Sequence, residues 1–135
     1  MSTRLGTTAW MVLALAAGAI AAPALAQPKH PGESCFLSRD WSNWRPGPDA
    51  KTIYLRVGVS EVFRLDLESA CPELKEPDAR LITKIRGSDW ICSPLDLDIR
   101  VASGPPPSID APCLVKGMSR LTPDEVAALP KGARP

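Results

Sequence analysis

Four cysteines, Cys35, Cys71, Cys92 and Cys113, constrain this chain more than any other feature. All four stand behind an apolar N-terminal segment that closes on a small-residue cleavage signal. An even cysteine count in an exported chain reads as two disulfides rather than thiol chemistry. The fold is therefore expected to be a small body stapled at two places.

The export reading rests on the first residues. Arg4 is the only charge before Lys29. An apolar stretch from Ala9 to Ala22 follows, then Pro23 and Ala24-Leu25-Ala26 ahead of Gln27. A basic start, a short apolar run and an A-x-A ending make a secretory signal peptide. The run falls short of the about 20 residues a transmembrane helix needs, which disfavours an uncleaved anchor. The expected cleavage follows Ala26, and no cysteine there invites a lipid anchor. The domain plan is a signal peptide over 1–26, a loose leader over 27–34, one domain over 35–130 and a tail over 131–135. The expected location is periplasmic or secreted, with no stable membrane span after cleavage.

Sixteen basic and fifteen acidic side chains become equal once Arg4 is removed. A neutral balance gives no long-range pull toward nucleic acid or an anionic membrane. The one histidine, His30, sits in the proline-containing leader. The folded body then lacks the commonest general base.

Two hairpins are expected. Thr52–Val57 alternates, with Ile53, Leu55 and Val57 on one face; Val62–Leu67 alternates again, with Phe63, Leu65 and Leu67 inward. A three-residue loop, Gly58-Val59-Ser60, sets Leu55 opposite Phe63 and Ile53 opposite Leu65. Leu81–Arg86 forms a third strand with Leu81, Thr83 and Ile85 inward, and Gly87-Ser88 suits a two-residue turn. Folding back there places Arg86 opposite Asp89, Ile85 opposite an inward Trp90, and Thr83 opposite Cys92. Pro94 breaks that ladder, and Leu95, Leu97, Ile99 and Val101 resume an inward face. Ser103–Pro112 is a proline-rich loop. Cys113–Arg120 makes a last strand with a bulge at Gly117. Leu121–Leu129 carries a helix signature: Thr122 as N-cap, Pro123 at the first position, Glu125 completing a capping box and a staple between Leu121 and Val126. The expected fold is mainly β, a small antiparallel sheet or partly open barrel of about five strands with a short C-terminal helix.

Four cysteines allow three pairings. The second hairpin returns Cys92 toward Cys71, which favours Cys71–Cys92 and leaves Cys35–Cys113. Zinc binding would want close pairs such as C-x₂-C, and the narrowest spacings here, Cys71 to Cys92 and Cys92 to Cys113, are far wider. A redox C-x-x-C is absent too.

Several short pieces have a familiar order: Cys35-Phe36, Tyr54-Leu-Arg-Val-Gly58, Arg64-Leu-Asp-Leu67, Cys71-Pro-Glu-Leu74, Ile91-Cys-Ser-Pro-Leu-Asp96 and Leu121-Thr-Pro-Asp-Glu125. Through them the chain resembles a family of small exported four-cysteine proteins of Gram-negative bacteria, a domain of unknown function. The resemblance implies secretion and a common four-cysteine body, and supplies no catalytic residues.

Asp96 and Asp98 share an outer strand face, but two carboxylates fall short of the six to eight oxygens calcium takes. Lys84 and Arg86 on a neighbouring strand read as their cross-strand partners. Arg56, Arg64, Lys84, Arg86 and Arg100 project outward among Asp66, Asp89, Asp96 and Asp98, a mixed surface rather than a nucleic-acid footprint. Ser103–Ser108 lacks P-x-x-P spacing and reads as a stiff loop. Trp41 and Trp44, in Arg39-Asp-Trp-Ser-Asn-Trp44, are the candidates for partner contact, since Trp and Arg are favoured at binding hot spots. No catalytic, cofactor-binding or metal-binding residue is expected. The expected function is binding of a periplasmic protein or cell-envelope partner. The alternatives are an inhibitor of an envelope or foreign hydrolase, acting through the 103–112 loop, and an enzyme of unrecognised type.

Overall fold

A computed structural model describes residues 35–106, 108 and 110–135. The expected signal peptide over 1–26, the expected leader and His30 lie outside the described residues, as do Pro107 and Ile109 of the proline-rich loop.

The chain is mainly β, with one short helix and two disulfides. The first hairpin forms as its alternation dictates. β3 (Thr52–Val57) and β4 (Glu61–Leu67) pair antiparallel, with Leu55 opposite Phe63 and Ile53 opposite Leu65. Gly58 begins the turn at a φ of 57°, a left-handed conformation that glycine adopts without strain. Two more strands complete a four-stranded sheet in the order β2-β3-β4-β9: β2 (Trp41–Pro46) and β9 (Val115–Arg120). Ile53, Leu55, Phe63 and Leu65 are fully enclosed.

The opposite face of this sheet is covered as well. α1 (Pro123–Ala128) begins at Thr122, whose hydroxyl accepts from the Glu125 N–H at 3.3 Å while the Glu125 carboxylate accepts from the Thr122 N–H at 2.7 Å. Six residues cannot hold a helix alone. Leu121, Val126 and Leu129 therefore pack on Tyr54, Val62 and Ala133. Arg134 donates to the carbonyls of Ala127 (2.5 Å) and Leu129 (2.9 Å), which the helix leaves unpaired. Arg56 donates through both Nε and Nη2 to the Pro135 carbonyl oxygen. Residues 131–135 thus belong to the packed body, with Ala133 and Pro135 buried.

The second hairpin does not form, and this is the main correction to the sequence reading. β5 (Arg80–Ile85) pairs with β7 (Leu97–Ala102), and β8 (Asp110–Pro112) joins β7 on its other side. β6 (Trp90–Ile91) pairs instead with β1 (Phe36–Leu37). Pro94 ends β6 after two residues, and the chain turns sharply through Pro94–Asp96. The Asp96 carboxylate accepts from the N–H groups of Cys92 (3.0 Å) and Ser93 (2.9 Å), while the Ser93 hydroxyl accepts from Leu95. This capped turn presents Leu97, Ile99 and Val101, all buried, to β5. Six residues with three core side chains outcompete the four-residue Asp89–Cys92 arm. In consequence Arg86 meets Asp98, not Asp89, at 3.3 Å, Trp90 is 53% exposed and Leu95 is 80% exposed.

The disulfides follow the strands. They are Cys35–Cys92 and Cys71–Cys113, in place of the favoured Cys71–Cys92 and Cys35–Cys113. Phe36 pairs with Ile91, so Cys35 stands opposite Cys92 one step further along the same antiparallel register. The other bond closes an end of the β4–β9 ladder, where Leu67 pairs with Val115 and the Glu68 N–H donates to the Leu114 carbonyl. The last strand starts at Val115 rather than Cys113, and Lys116, beside Gly117, is the extra residue of its bulge.

The inward faces of the larger sheets meet in one core. Ile53, Leu55, Val57, Phe63, Leu65 and Leu67 come from the four-stranded sheet, and Leu97, Ile99 and Val101 from the three-stranded one. Phe36 packs against Phe63 with the rings tilted and their centroids 4.6 Å apart, joining the β1–β6 pair to the core. The sheets do not close into a barrel among the described residues.

Candidate functional site

Trp41 and Trp44 are three residues apart, a spacing that puts side chains on opposite faces of a regular strand. The β2–β3 register shifts between Trp41 and Asn43. Ser42 is the extra residue of that bulge, and its hydroxyl donates to the Arg56 carbonyl at 3.4 Å. With Ser42 taken out of step, Trp41 stands opposite Val57 and Trp44 opposite Leu55. Both indoles thereby lie on the core side, half-buried, at the rim of the cluster.

The two indoles form one wall of an open groove of about 560 Å³. Leu81, Thr83 and Ile85 of β5 form the other wall, and Ser38 and Arg39 join the lining. A smaller hollow of about 320 Å³ shares Trp44 and is lined further by Leu74, Glu76, Pro77 and Ala79. The groove therefore runs between two sheet edges, since β2 and β5 are each the outermost strand of their sheets.

The edge of β2 is closed by its own residues. The Trp44 N–H donates to the Asn43 side-chain oxygen at 2.8 Å, and the Trp44 carbonyl accepts from Arg45 Nη1 at 3.3 Å. The Trp41 indole N–H donates to the Asn43 carbonyl at 3.2 Å. Pro46 has no N–H to offer, as befits an edge position. Such devices keep an edge strand from pairing with other chains.

Other sequence candidates are dispersed or already engaged. Asp96 caps its turn and Asp98 pairs with Arg86, so the two carboxylates serve different partners. The outward arginines divide between two sheets. Arg64 pairs with Asp66 at 2.8 Å, and Arg100 reaches Asp110 at 3.9 Å. The hydrogen bond that Arg64 Nε donates to the Asp66 carboxylate raises the guanidinium above its ordinary pKa despite some desolvation. The start of the 103–112 loop is tied down: the Gly104 N–H donates to Asp78 at 2.5 Å, and its carbonyl accepts from Arg80. No cluster of three or more metal-ligating side chains occurs among the described residues.

All four cysteines are paired, which suits an oxidising, non-cytoplasmic location. No helix among the described residues is long and apolar enough to cross a membrane. The sequence offers the two tryptophans as candidates but not the opposite wall, because its alternation places Leu81, Thr83 and Ile85 on the buried face of a hairpin. No curated protein and no solved structure matches the chain. A family model described as "Family of unknown function (DUF6491)" matches residues 1–135, and the chain belongs to that family.

Proposed function

We propose that this member of a family of unknown function is an exported, non-catalytic domain that binds a polypeptide partner in the groove between β2 and β5. On this reading the chain is cleaved after Ala26 and works in the periplasm. The observation that carries it is the bulge at Ser42. It costs the β2–β3 ladder a regular step, and its consequence is that two indoles stand together on one wall of a groove. Tryptophan and arginine are the residues that most often dominate binding energy, and Arg39 lines the same groove.

The test compares capture from periplasmic extract by wild-type protein, by Trp41→Ala and by Arg39→Glu. Arg39 is exposed and outside the core, so its reversal leaves folding intact. The expected result is a partner retained by the wild type across several salt concentrations and lost with both variants. Recovery of nothing above background, or equal recovery by all three, contradicts the reading.

A further inference from the structure

The backbone of β5 differs from every other edge of the two larger sheets. The Arg86 N–H donates to the Asp96 carbonyl at 3.0 Å. In an antiparallel ladder this marks a hydrogen-bonded pair, and such pairs alternate with non-hydrogen-bonded ones. The unbroken register from Ile85 opposite Leu97 to Arg80 opposite Ala102 carries that alternation along the strand. Arg80, Ile82 and Lys84 therefore spend their backbone groups on β7. Leu81, Thr83 and Ile85 point theirs the other way, and no described residue meets them. These are also the three β5 residues that line the groove.

The remaining edges are protected. β2 is capped by Asn43 and Arg45. β8 is three residues long and ends in Pro112. β9 carries a bulge and lies against the Pro94–Asp96 turn. β5 has no proline, glycine or bulge. A row of free donors and acceptors is a template for a strand. The open groove of about 560 Å³ beside β5 is where such a strand would lie. A strand added to β5 would give the second sheet a fourth member and lay its inward side chains over Trp41 and Trp44.

Charge decides between a partner and a second copy. β5 and its continuation carry Arg80, Lys84 and Arg86 and no acid. Self-pairing must set odd-numbered residues against odd-numbered ones. The three registers centred on the strand then oppose Arg80 to Lys84, Arg80 to Arg86, or Lys84 to itself. Like charges directly opposite destabilise a pair. An acidic strand meets no such penalty, and Lys84 has no ion-pair partner among the described residues.

We infer that the groove takes its partner as an extended strand, paired antiparallel to β5, with apolar residues opposite Leu81, Thr83 and Ile85 and an acid opposite Lys84. This rests on the reading that the groove binds a polypeptide, and adds how it does so.

The probe is acetyl-Val-Glu-Val-Thr-Val-amide, whose residues fall in turn opposite Ile85, Lys84, Thr83, Ile82 and Leu81. Binding to the disulfide-bonded protein is followed by titration. N-methylation of the central valine removes the N–H that faces β5 and is expected to weaken binding about tenfold or more. N-methylation of the glutamate, whose N–H faces away, is expected to leave most of the affinity. Thr83→Pro deletes an edge N–H that β7 does not use, and is expected to abolish binding while the far-ultraviolet spectrum and melting cooperativity persist. Replacing the glutamate by lysine should weaken binding. Equal response to the two methylations, or unchanged binding by Thr83→Pro, overturns strand pairing. If Arg39→Glu still loses the captured partner in that case, the groove stands as the docking site and only the strand geometry fails. A concentration-dependent dimer that blocks the peptide assigns the edge to a second copy and also overturns the proposal.

Discussion

The two sheets that share this core are built to different ends. The four-stranded sheet packs on the core with one face, and on the other Tyr54 and Val62 are covered by α1 and the C-terminal residues. Its outer strand β2 closes its own edge with Asn43 and Arg45. The three-stranded sheet contributes Leu97, Ile99 and Val101 to the core, but Ile82 and Ile85 remain exposed and the β5 edge has no described partner. On the proposed reading, the sheet with the closed edge serves mainly stability and the sheet with the open edge serves binding.

Truncation in the core separates the sheets most strongly. Phe63→Ala opens a cavity in a fully enclosed site and is expected to cost about 3–5 kcal/mol. Ile82→Ala, on the outward face of β5, is expected to cost less than about 1 kcal/mol. Urea titrations of both variants give the comparison, and equal losses would break it.

The disulfides come next. Removing either bond is expected to cost about 2–4 kcal/mol, but the two differ in access. Cys71 and Cys113 are both buried, whereas Cys92 is exposed and Cys35 half-buried. Exchange needs access to a sulfur. Partial reduction followed by alkylation should therefore label Cys35 and Cys92 first, and Cys71 and Cys113 only as the body unfolds. Peptide mapping of the unreduced protein should show these pairs and not Cys71–Cys92.

The helix cap is a smaller effect. Thr122→Ala removes the hydroxyl that accepts from Glu125 and is expected to lower stability by about 1 kcal/mol, read as a shift in the urea midpoint. Smallest of all is the β2 edge. Replacing Asn43 and Arg45 by alanine should change unfolding free energy by less than about 0.5 kcal/mol. It should raise concentration-dependent association in light scattering, because the Trp44 N–H and carbonyl lose their local partners.

What could be read in the sequence follows the same division. β3 and β4 are joined by a tight turn, so alternation and loop length set their register. α1 carries its start in Thr122, Pro123 and Glu125. Both signals are local. In the second sheet the nearest turn, Gly87-Ser88, was a poor guide. β5 chose β7 across the capped Pro94–Asp96 turn, and β6 chose β1 from far upstream. Those partners depend on how much apolar surface each pairing buries, which no local pattern reports. The disulfide assignment inherited the error, because Cys92 travels with β6. The Ser42 bulge was hidden for a related reason: the shift exists only relative to β3. The two tryptophans were legible as candidates, while their common face and the opposite wall were not.

The central claim, that β5 offers alternate backbone groups to a partner strand, is tested most directly by residue-resolved amide hydrogen exchange on the disulfide-bonded protein. In the free protein the N–H groups of Ile82 and Lys84 should exchange slowly, and those of Leu81, Thr83 and Ile85 fast. Adding the acetylated pentapeptide should slow the second set and leave the first unchanged. Uniform protection along β5 without peptide would mean that the edge is already filled, and uniform exchange with peptide present would mean that no strand is added; either result contradicts the account.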